Sequence, residues 1–418
     1  MIRVLLIKIW LKVKQIISFI IYKIINFILS VLIISIRPMV KVIITDLPSE
    51  RIGHLAHKTD YFLRRLQLDL NYNQSKTVFI AIAQYPPANL QLMKMFMRSR
   101  FIISLPTYLY NIVVNSIKNN KSIYIDFIPS ANYNNFILYK QTNDNLHFTS
   151  IEEERGKKLL QQMGISEKDW FVCFHTRDSS YLQKNAGRLY GDWGNKRDWS
   201  YHDYRDSSIN TFISAAEFIA QQGGFAVRMG KDTDECLPEG LHPNIIDYSN
   251  KYCSDFGDIY LCAKCKFMIG SSSGLEFVPI IFNRPVIYTN FIPLGAAVTT
   301  TREDTITIPS KIWSENENRY LTYREILNSE IANYHQTKQY LDAGLKVVPS
   351  SAEEILDVTK EMYARVFVGG YEYQDEDKNL REQFRSLYPS THICYNNDVP
   401  ISEMIGIDFL RKNKELIY

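Results

Sequence analysis

The chain has 418 residues, 46% of them hydrophobic and 22% charged, with a formal net charge of +3. Such a composition supports folded cores, two domains with appendages by length, and excludes a largely disordered chain. The small net charge gives no basis for nucleic-acid binding. Six scattered cysteines are too few for a disulfide scaffold at this length, which fits a reducing cytoplasm.

Residues 1–38 stand apart, with several basic residues and no acidic one. Residues 16–36 are long enough to span a bilayer, but Lys23 and Asn26 interrupt them. On a helix, Lys8, Lys12, Gln15, Lys23, Asn26, Ser30 and Arg37 fall on one narrow stripe, and Ile, Leu, Val and Phe cover the rest. That pattern predicts a membrane-associating helix lying in the interface with its cations at the headgroups. A single-pass helix stays open. No small-residue cleavage site follows, which argues against a signal sequence.

After Pro38 the pattern alternates strand and helix. "VKVIITD" (40–46) predicts a buried strand, followed by a loop and helix with Gly53 near the turn. "SKTVFIAIA" (75–83) predicts a second strand, with a helix over 88–98; "RFIISL" (100–105) and "SIYIDFI" (122–128) are further strand candidates. A charged helix is expected at 151–164. A second series then begins with "WFVCFHT" (170–176), a long polar loop to about 206, and a helix capped by Ser207 or Ser208 and stopped by Gly223. Strands follow at 224–230, 244–249, 266–270 and 286–290, with a helix over 255–265 that contains Cys262 and Cys265. This alternation predicts α/β architecture with parallel sheets. Tandem sheets of this kind imply a cleft, and ligands of open α/β sheets bind beyond the carboxyl ends of the strands.

The strand ends of the second series therefore carry the functional argument. The first ends in His175, Arg177 and Asp178. Arginine presents a fork of donors suited to phosphate oxygens, and histidine can donate a hydrogen bond or move a proton. A surface ion pair beside a satisfied histidine explains the same residues. The second strand ends in Arg228, Gly230 and Lys231, a second cation pair with a glycine that allows close approach. The third ends in Asp247 and Tyr248, which suit a ribose or base, or a strand-end hydrogen bond. The fourth ends in Ser271, Ser272, Ser273 and Gly274, whose amides at an expected helix start suit an anion beyond the needs of plain capping. Their convergence favours a diphosphate ligand. No G-x-x-x-x-G-K-[ST] loop or G-x-G-x-x-G fingerprint is present, which argues against a triphosphatase or a common dehydrogenase. Asp232-Thr233-Asp234 has the form of a metal-binding Asp-x-Asp, but such triplets arise often by chance, and no metal ligand or cofactor is expected.

"FHTRDSSY", "HDYRDSSI", "VRMGK", "IIDYS" and "CKFMIGSSSGLEFVPIIFNRPV", with "RIGHLA" near residue 51, resemble the bacterial glycosyltransferases of surface-polysaccharide (O-antigen or capsule) gene clusters. The likeness covers roughly residues 40–300, and the His-x-Arg element also resembles a fucosyltransferase motif. The resemblance implies two Rossmann-like domains of GT-B type. The expected organisation is a membrane-associating helix at 1–38, an acceptor domain at 39–150, a nucleotide-sugar-binding domain at 151–335, and a helical or mixed extension at 336–418 that packs back on the first domain. It implies hexosyl or deoxyhexosyl transfer from a nucleotide diphosphosugar to a lipid-linked lipopolysaccharide or capsule glycan at the cytoplasmic face of the bacterial inner membrane. Arg177, Arg228 and Lys231 would neutralise the departing diphosphate, with Gly230, Asp247, Tyr248 and Ser271–Gly274 completing the donor site. His54 is the candidate general base, with His175 and Asp178 as alternatives. A nucleotide-sugar epimerase and a non-catalytic polysaccharide-assembly protein are the rival functions.

Overall fold

The computed structural model describes residues 39–68, 77–99, 101–118, 124, 138–190, 192–296, 304–392 and 405–417, with ten scattered positions between 13 and 35. The chain divides into two compact units, Met1–Pro129 and Ser130–Tyr418.

In the first unit, β1 (Lys41–Leu47), β2 (Thr77–Tyr85) and β3 (Phe101–Pro106) form a parallel sheet in the order β1-β2-β3. The predicted strands at 40–46, 75–83 and 100–105 are found within two residues. Of the candidate at 122–128, only Tyr124 is described, bridged in parallel to Ile44; the rest lies outside the described residues. Side chains alternate across a pleated strand. Val42, Ile44 and Ile82 pack with Val114 and Ile117 of the helix Thr107–Ile117. Phe79, on the opposite face, meets Phe62 of the helix Ile52–Leu68 with ring centroids 5.9 Å apart. Helices thus cover both faces, as a parallel sheet requires.

Of residues 1–38, the described positions are helical and exposed, among them Val13, Ile17, Phe19, Ile20, Ile24, Phe27, Ile28 and Val31. Among the described residues no helix is long and apolar enough to cross a membrane. The remainder of the expected membrane helix lies outside the described residues.

The second unit is built on a six-stranded parallel sheet. Its strands are β4 (Phe171–Phe174), β5 (Phe225–Arg228), β6 (Ile245–Asp247), β7 (Met268–Gly270), β8 (Val286–Phe291) and β9 (Ile306–Pro309), in the order β6-β5-β4-β7-β8-β9. Counted within the unit this is 3-2-1-4-5-6, the doubly wound order, whose direction reverses between β4 and β7. A small antiparallel sheet of β10 (Lys311–Ser314), β11 (Arg319–Tyr320) and β12 (Leu345–Val348) stands beside it in the order β11-β10-β12.

Three differences from the sequence expectations have physical reasons. The unit boundary falls at 129/130 rather than at 150/151. Phe148 stacks on Phe282 and meets Phe256 and Tyr260 edge-on, so the residues before the charged helix Ser150–Gln162 already belong to the second core. The described part of 336–418 joins the same core: Ile355, Val358 and Met362 of the helix Ala352–Tyr363 are buried with Ala215, Ala216 and Ile219 of the helix Ile213–Gln221. Finally, the polar stretch after β4 contains a helix, Ser180–Tyr190, where a loop was expected. Asp178 starts it by accepting the Ser180 amide at 2.7 Å.

Candidate functional site

In the first unit the candidate groups gather at the carboxyl end of β1. Asp46 accepts hydrogen bonds from Tyr110 at 3.2 Å and from Tyr124, and Lys118 pairs with it at 3.2 Å. Ser49 ties the next turn to β2 by donating to the Gln84 carbonyl at 2.7 Å. His54, on the first turn of its helix, has its Nδ1 3.3 Å from Glu50 Oε1 and keeps a side-chain exposure of 42%. Burial works to raise the Glu50 carboxyl, but the bond to His54, its own backbone amide and the charges of His54 and Arg51 outweigh it and hold the group below its usual value. His54 is thus an accessible imidazole backed by an ionised carboxylate.

In the second unit the ends of β4 and β7 meet at the reversal point. The Arg177 amide donates to Ser271 Oγ at 2.6 Å, which joins the two loops through main chain and hydroxyl. The helix expected to begin at the serines begins later, at Phe277, and runs only to Ile281. What the serines form is a strand-end loop. Ser272 has φ +53, a left-handed conformation that a non-glycine residue adopts at a cost, and its hydroxyl donates to the Asn290 carbonyl at 3.1 Å. Asn290 at the end of β8 has the same φ, +53. The Ser271 amide is taken by Glu276 Oε1 at 2.9 Å. Among the described residues the amides of Ser272, Ser273 and Gly274 have no intramolecular acceptor. Consecutive free amides around a left-handed residue make an anion-binding concavity.

The cations are less open than their sequence positions suggest. The Arg177 guanidinium pairs with Asp206, and the residue is 8% exposed. Asp206 in turn lines a cavity of about 360 Å³ with Asp203, Tyr204, Thr337 and Tyr340. Arg228 is 2% exposed and reaches Asp247 at 3.4 Å, Thr233 Oγ1 at 3.3 Å and the Glu235 carbonyl. Lys231 pairs with Asp255 at 3.2 Å and keeps 35% of its side chain exposed. Gly230 has φ +137, and a Cβ there would fall 2.9 Å from Thr233 Cγ2 and 3.5 Å from His175 Nδ1, so glycine suits this packing.

Partly buried His175 places Nδ1 3.3 Å from the Met229 carbonyl. A carbonyl only accepts, so Nδ1 carries the hydrogen and Nε2 the lone pair of the neutral ring. Burial holds the imidazole below its usual value, against the opposing pull of Glu276, the Met229 carbonyl and Asp178, with Arg228 adding to the depression. Asp178 has both oxygens engaged: Oδ1 by the Ser180 amide and hydroxyl, Oδ2 by the Asp234 amide at 3.1 Å. Asp247 accepts the Asn250 amide at 3.3 Å and its side-chain amide at 2.8 Å. Tyr248 is fully buried and hydrogen-bonded to Ser254 and Asp258.

Of the Asp-x-Asp triplet, Asp232 accepts from Asn185 at 2.7 Å and Asp234 from Lys184 at 2.6 Å. Among the described residues no group of three histidine, cysteine or acidic side chains could hold a metal ion.

Sequence comparison finds no matching protein family and no matching curated protein. Among solved structures, the chain is similar to the ADP-heptose lipopolysaccharide heptosyltransferase II of E. coli, at 12% identity and TM-score 0.39, over 64% of this chain and 90% of that one. It is also similar to a glycosyl transferase family 9 protein of Veillonella parvula, at 12% identity and TM-score 0.41, over 76% and 97%. A third is the E. coli heptosyltransferase WaaC with ADP, at 10% identity and TM-score 0.32, over 65% and 91%. Likeness at this level assigns neither family nor activity.

Three residues at these sites escaped the sequence reading. Glu50 lies four residues before His54, just ahead of the helix that begins at Ile52, and that one-turn spacing could have flagged it. Asp206 meets Arg177 only through the fold, 29 residues apart in sequence. Glu276 is a lone carboxylate within "GLEFVPII", and a charge inside an apolar run was the available signal.

Proposed function

We propose that the chain is a glycosyltransferase that moves a hexose or deoxyhexose from a nucleotide diphosphosugar to a growing, lipid-linked surface glycan of the lipopolysaccharide or capsule kind. One observation carries the proposal: the joined ends of β4 and β7 at the reversal point of a doubly wound sheet, followed by three successive amides without an acceptor among the described residues. Ligands of such sheets occupy the crevice outside this point. The Ser272, Ser273 and Gly274 amides would take diphosphate oxygens. Lys231 would add mobile positive charge, while Arg177 and Arg228 supply fixed positive potential and hold the surrounding loops through Asp206 and Asp247.

In the reaction the bond between the anomeric carbon and the diphosphate oxygen breaks, and its electron pair leaves with the nucleoside diphosphate. The acceptor oxygen bonds to the anomeric carbon, and its proton passes to a base. Donors fixed where the leaving charge develops stabilise the transition state. His54, exposed and backed by Glu50, is the proposed base for the acceptor hydroxyl. Transfer without a metal is part of the proposal, checked by activity that survives a chelator.

Attachment to the cytoplasmic face of the inner membrane is supported by the basic, acid-free sequence of 1–38 and by the exposed apolar side chains of its described positions. Such an anchor would bring the enzyme to a lipid-linked acceptor.

The test is a thermal-shift panel of nucleoside diphosphates, followed by incubation of the stabilising donor with and without a membrane-glycan extract. Stabilisation by one nucleotide and sugar transfer only with the extract are expected. Interconversion of the sugar without acceptor would replace transfer by epimerisation, and no response to any nucleotide would overturn the donor site.

A further inference from the structure

The cavity of about 360 Å³ beside Asp206 is lined from the turn Ser200–Arg205, the helix Thr337–Asp342 and the strand β12. Its volume is at the lower end of small-molecule sites, about 300–1,000 Å³. Two buried rings, Tyr204 and Tyr340, give it an aromatic wall, with centroids 5.1 Å apart and planes inclined by 32°. The wall is fixed in advance. Thr337 Oγ1 accepts the Tyr204 amide at 3.2 Å and donates to the Ser200 carbonyl at 2.8 Å, and the Tyr340 hydroxyl donates to the Tyr334 carbonyl at 3.1 Å. Three carboxylates, Asp203, Asp206 and Glu315, share the lining with one lysine, Lys346. Asp203 Oδ1 is buried and has no hydrogen-bond partner among the described residues. A buried carboxylate oxygen left unmatched costs stability, so the needs of the fold do not explain it.

We propose that this cavity binds a neutral pyranose, with the C–H face of the sugar on Tyr204 and Tyr340 and its hydroxyls donating to Asp203 and Glu315. An ionised carboxylate only accepts hydrogen bonds, and its two oxygens can take neighbouring hydroxyls. The face of an aromatic ring is negative and suits the polarised C–H groups of a sugar. A lipid chain would leave the carboxylates unmatched. An anion is repelled: even with Asp206 neutralised by Arg177, two carboxylates face one lysine. Among the described residues no group of three histidine, cysteine or acidic side chains could hold a metal ion. The cavity therefore complements the Ser272–Gly274 amides, which suit the anion that it excludes. Arg177 touches both places, with its guanidinium on Asp206 and its amide on Ser271 Oγ at 2.6 Å. The inference does not require the diphosphate site, and either can hold without the other.

Saturation-transfer NMR of the full chain with the methyl glycosides of glucose, galactose, mannose, fucose and rhamnose tests it, with glucuronate as the anionic probe and glucosamine as the cationic one. At least one neutral glycoside is expected to bind saturably, and glucuronate is not. Asp203→Asn is the deciding variant. Because Oδ1 has no partner to lose, the variant should be at least as stable as the wild type in urea, while glycoside affinity falls about tenfold or more. Glu315→Gln, at an exposed position, should weaken binding in the same direction, and it decides if Asp203→Asn fails to fold. Displacement of the glycoside by a nucleotide sugar, but not by its nucleotide, would uphold the site as that of the donor's sugar; no displacement would uphold it as the site of a glycan unit. Glycoside binding that both variants leave unchanged would place the sugar elsewhere and overturn the inference. Preference for glucuronate, binding of glucosamine alone, or binding of none of the probes would also overturn it. Failure of inorganic pyrophosphate to bind the wild type would count against the serine loop and leave the cavity standing.

Discussion

The main-chain amide of Arg177 donates to the hydroxyl of Ser271 at 2.6 Å, across 94 residues of sequence and between the two strands at which the sheet reverses. Both partners are buried. The bond sets the spacing of the loops that begin the proposed diphosphate site. Ser271→Ala leaves a buried donor unmatched, at a cost of about 1–3 kcal/mol. Urea denaturation should report that loss, and calorimetry should report weaker nucleoside diphosphate binding by the protein that remains folded. Unchanged stability and affinity would mean that the contact does not organise the site.

The Arg177–Asp206 pair predicts a different pattern. Breaking a wholly buried pair costs about 3–5 kcal/mol. Asp206 keeps 26% of its side chain exposed, so water can screen the orphaned arginine. Asp206→Asn should cost on the order of 2 kcal/mol by chemical denaturation. Donor affinity should hold or rise, because the guanidinium is released from its carboxylate. A clear fall in affinity at full occupancy of the fold would show that the pair itself shapes the pocket.

Asp178 separates structure from catalysis. Its oxygens cap the helix Ser180–Tyr190 and hold the Asp234 amide, an arrangement that leaves little capacity for proton transfer. Asp178→Ala should lower stability by about 1–2 kcal/mol. Transfer by the folded fraction should fall far less than the about 10²–10⁴-fold loss of a general acid or base. A loss of that size with intact donor binding would restore the catalytic assignment.

His54 carries the opposite expectation. His54→Ala should reduce kcat for transfer by about 10²–10⁴-fold while donor binding by the second unit stays unchanged. Glu50→Gln should reduce kcat less and shift the pH–rate profile, since it removes the carboxylate behind the imidazole. A near-wild-type rate for His54→Ala would move the base elsewhere.

Asp258 predicts a pH effect on stability. Burial raises its carboxyl to about 7 from a usual value of 3.8, opposed by the Tyr248 hydroxyl, Lys231 and the Cys253 thiol and aided by Asp255. The Tyr248 oxygen lies 2.9 Å from the Ser254 amide, the Ser254 carbonyl and Asp258 Oδ1. One hydroxyl hydrogen cannot serve both acceptors; a protonated Asp258 donates instead and satisfies all three. The folded state thus binds this proton more tightly than the unfolded state does. The group's contribution is full below about pH 4 and is lost as pH rises to about 7. Denaturation at pH 5 and pH 8 should show a smaller pH difference for Asp258→Asn than for the wild type. Equal differences would contradict the assignment.

The strands were legible in sequence because short apolar runs bounded by polar turns have few other uses. The strand-end residues were legible for the same reason, since the runs point to them. The helix Ser180–Tyr190 was hidden by Asn185 and Gly187, which read as loop residues, and by the capping role of Asp178, which sequence cannot separate from proton transfer. Gly187 is accommodated there because a Cβ would fall 2.2 Å from Asn195 Oδ1. The unit boundary was displaced because Phe148 commits to its core through contacts made more than 100 residues later. Arg177 was assigned an open role because Asp206 meets it only in three dimensions. For the helix the ambiguity was local; for the boundary and for Arg177 the missing information was long-range.

The central claim is that three successive amides at the end of β7 bind a diphosphate. Backbone ¹H–¹⁵N resonances of Ser272, Ser273 and Gly274, followed during titration with the nucleoside diphosphate that most stabilises the chain, test it directly. The account predicts that these amides move downfield together, saturably and more than the rest of the sheet. Saturable binding that leaves all three unmoved, or no binding by any nucleoside diphosphate, would contradict it.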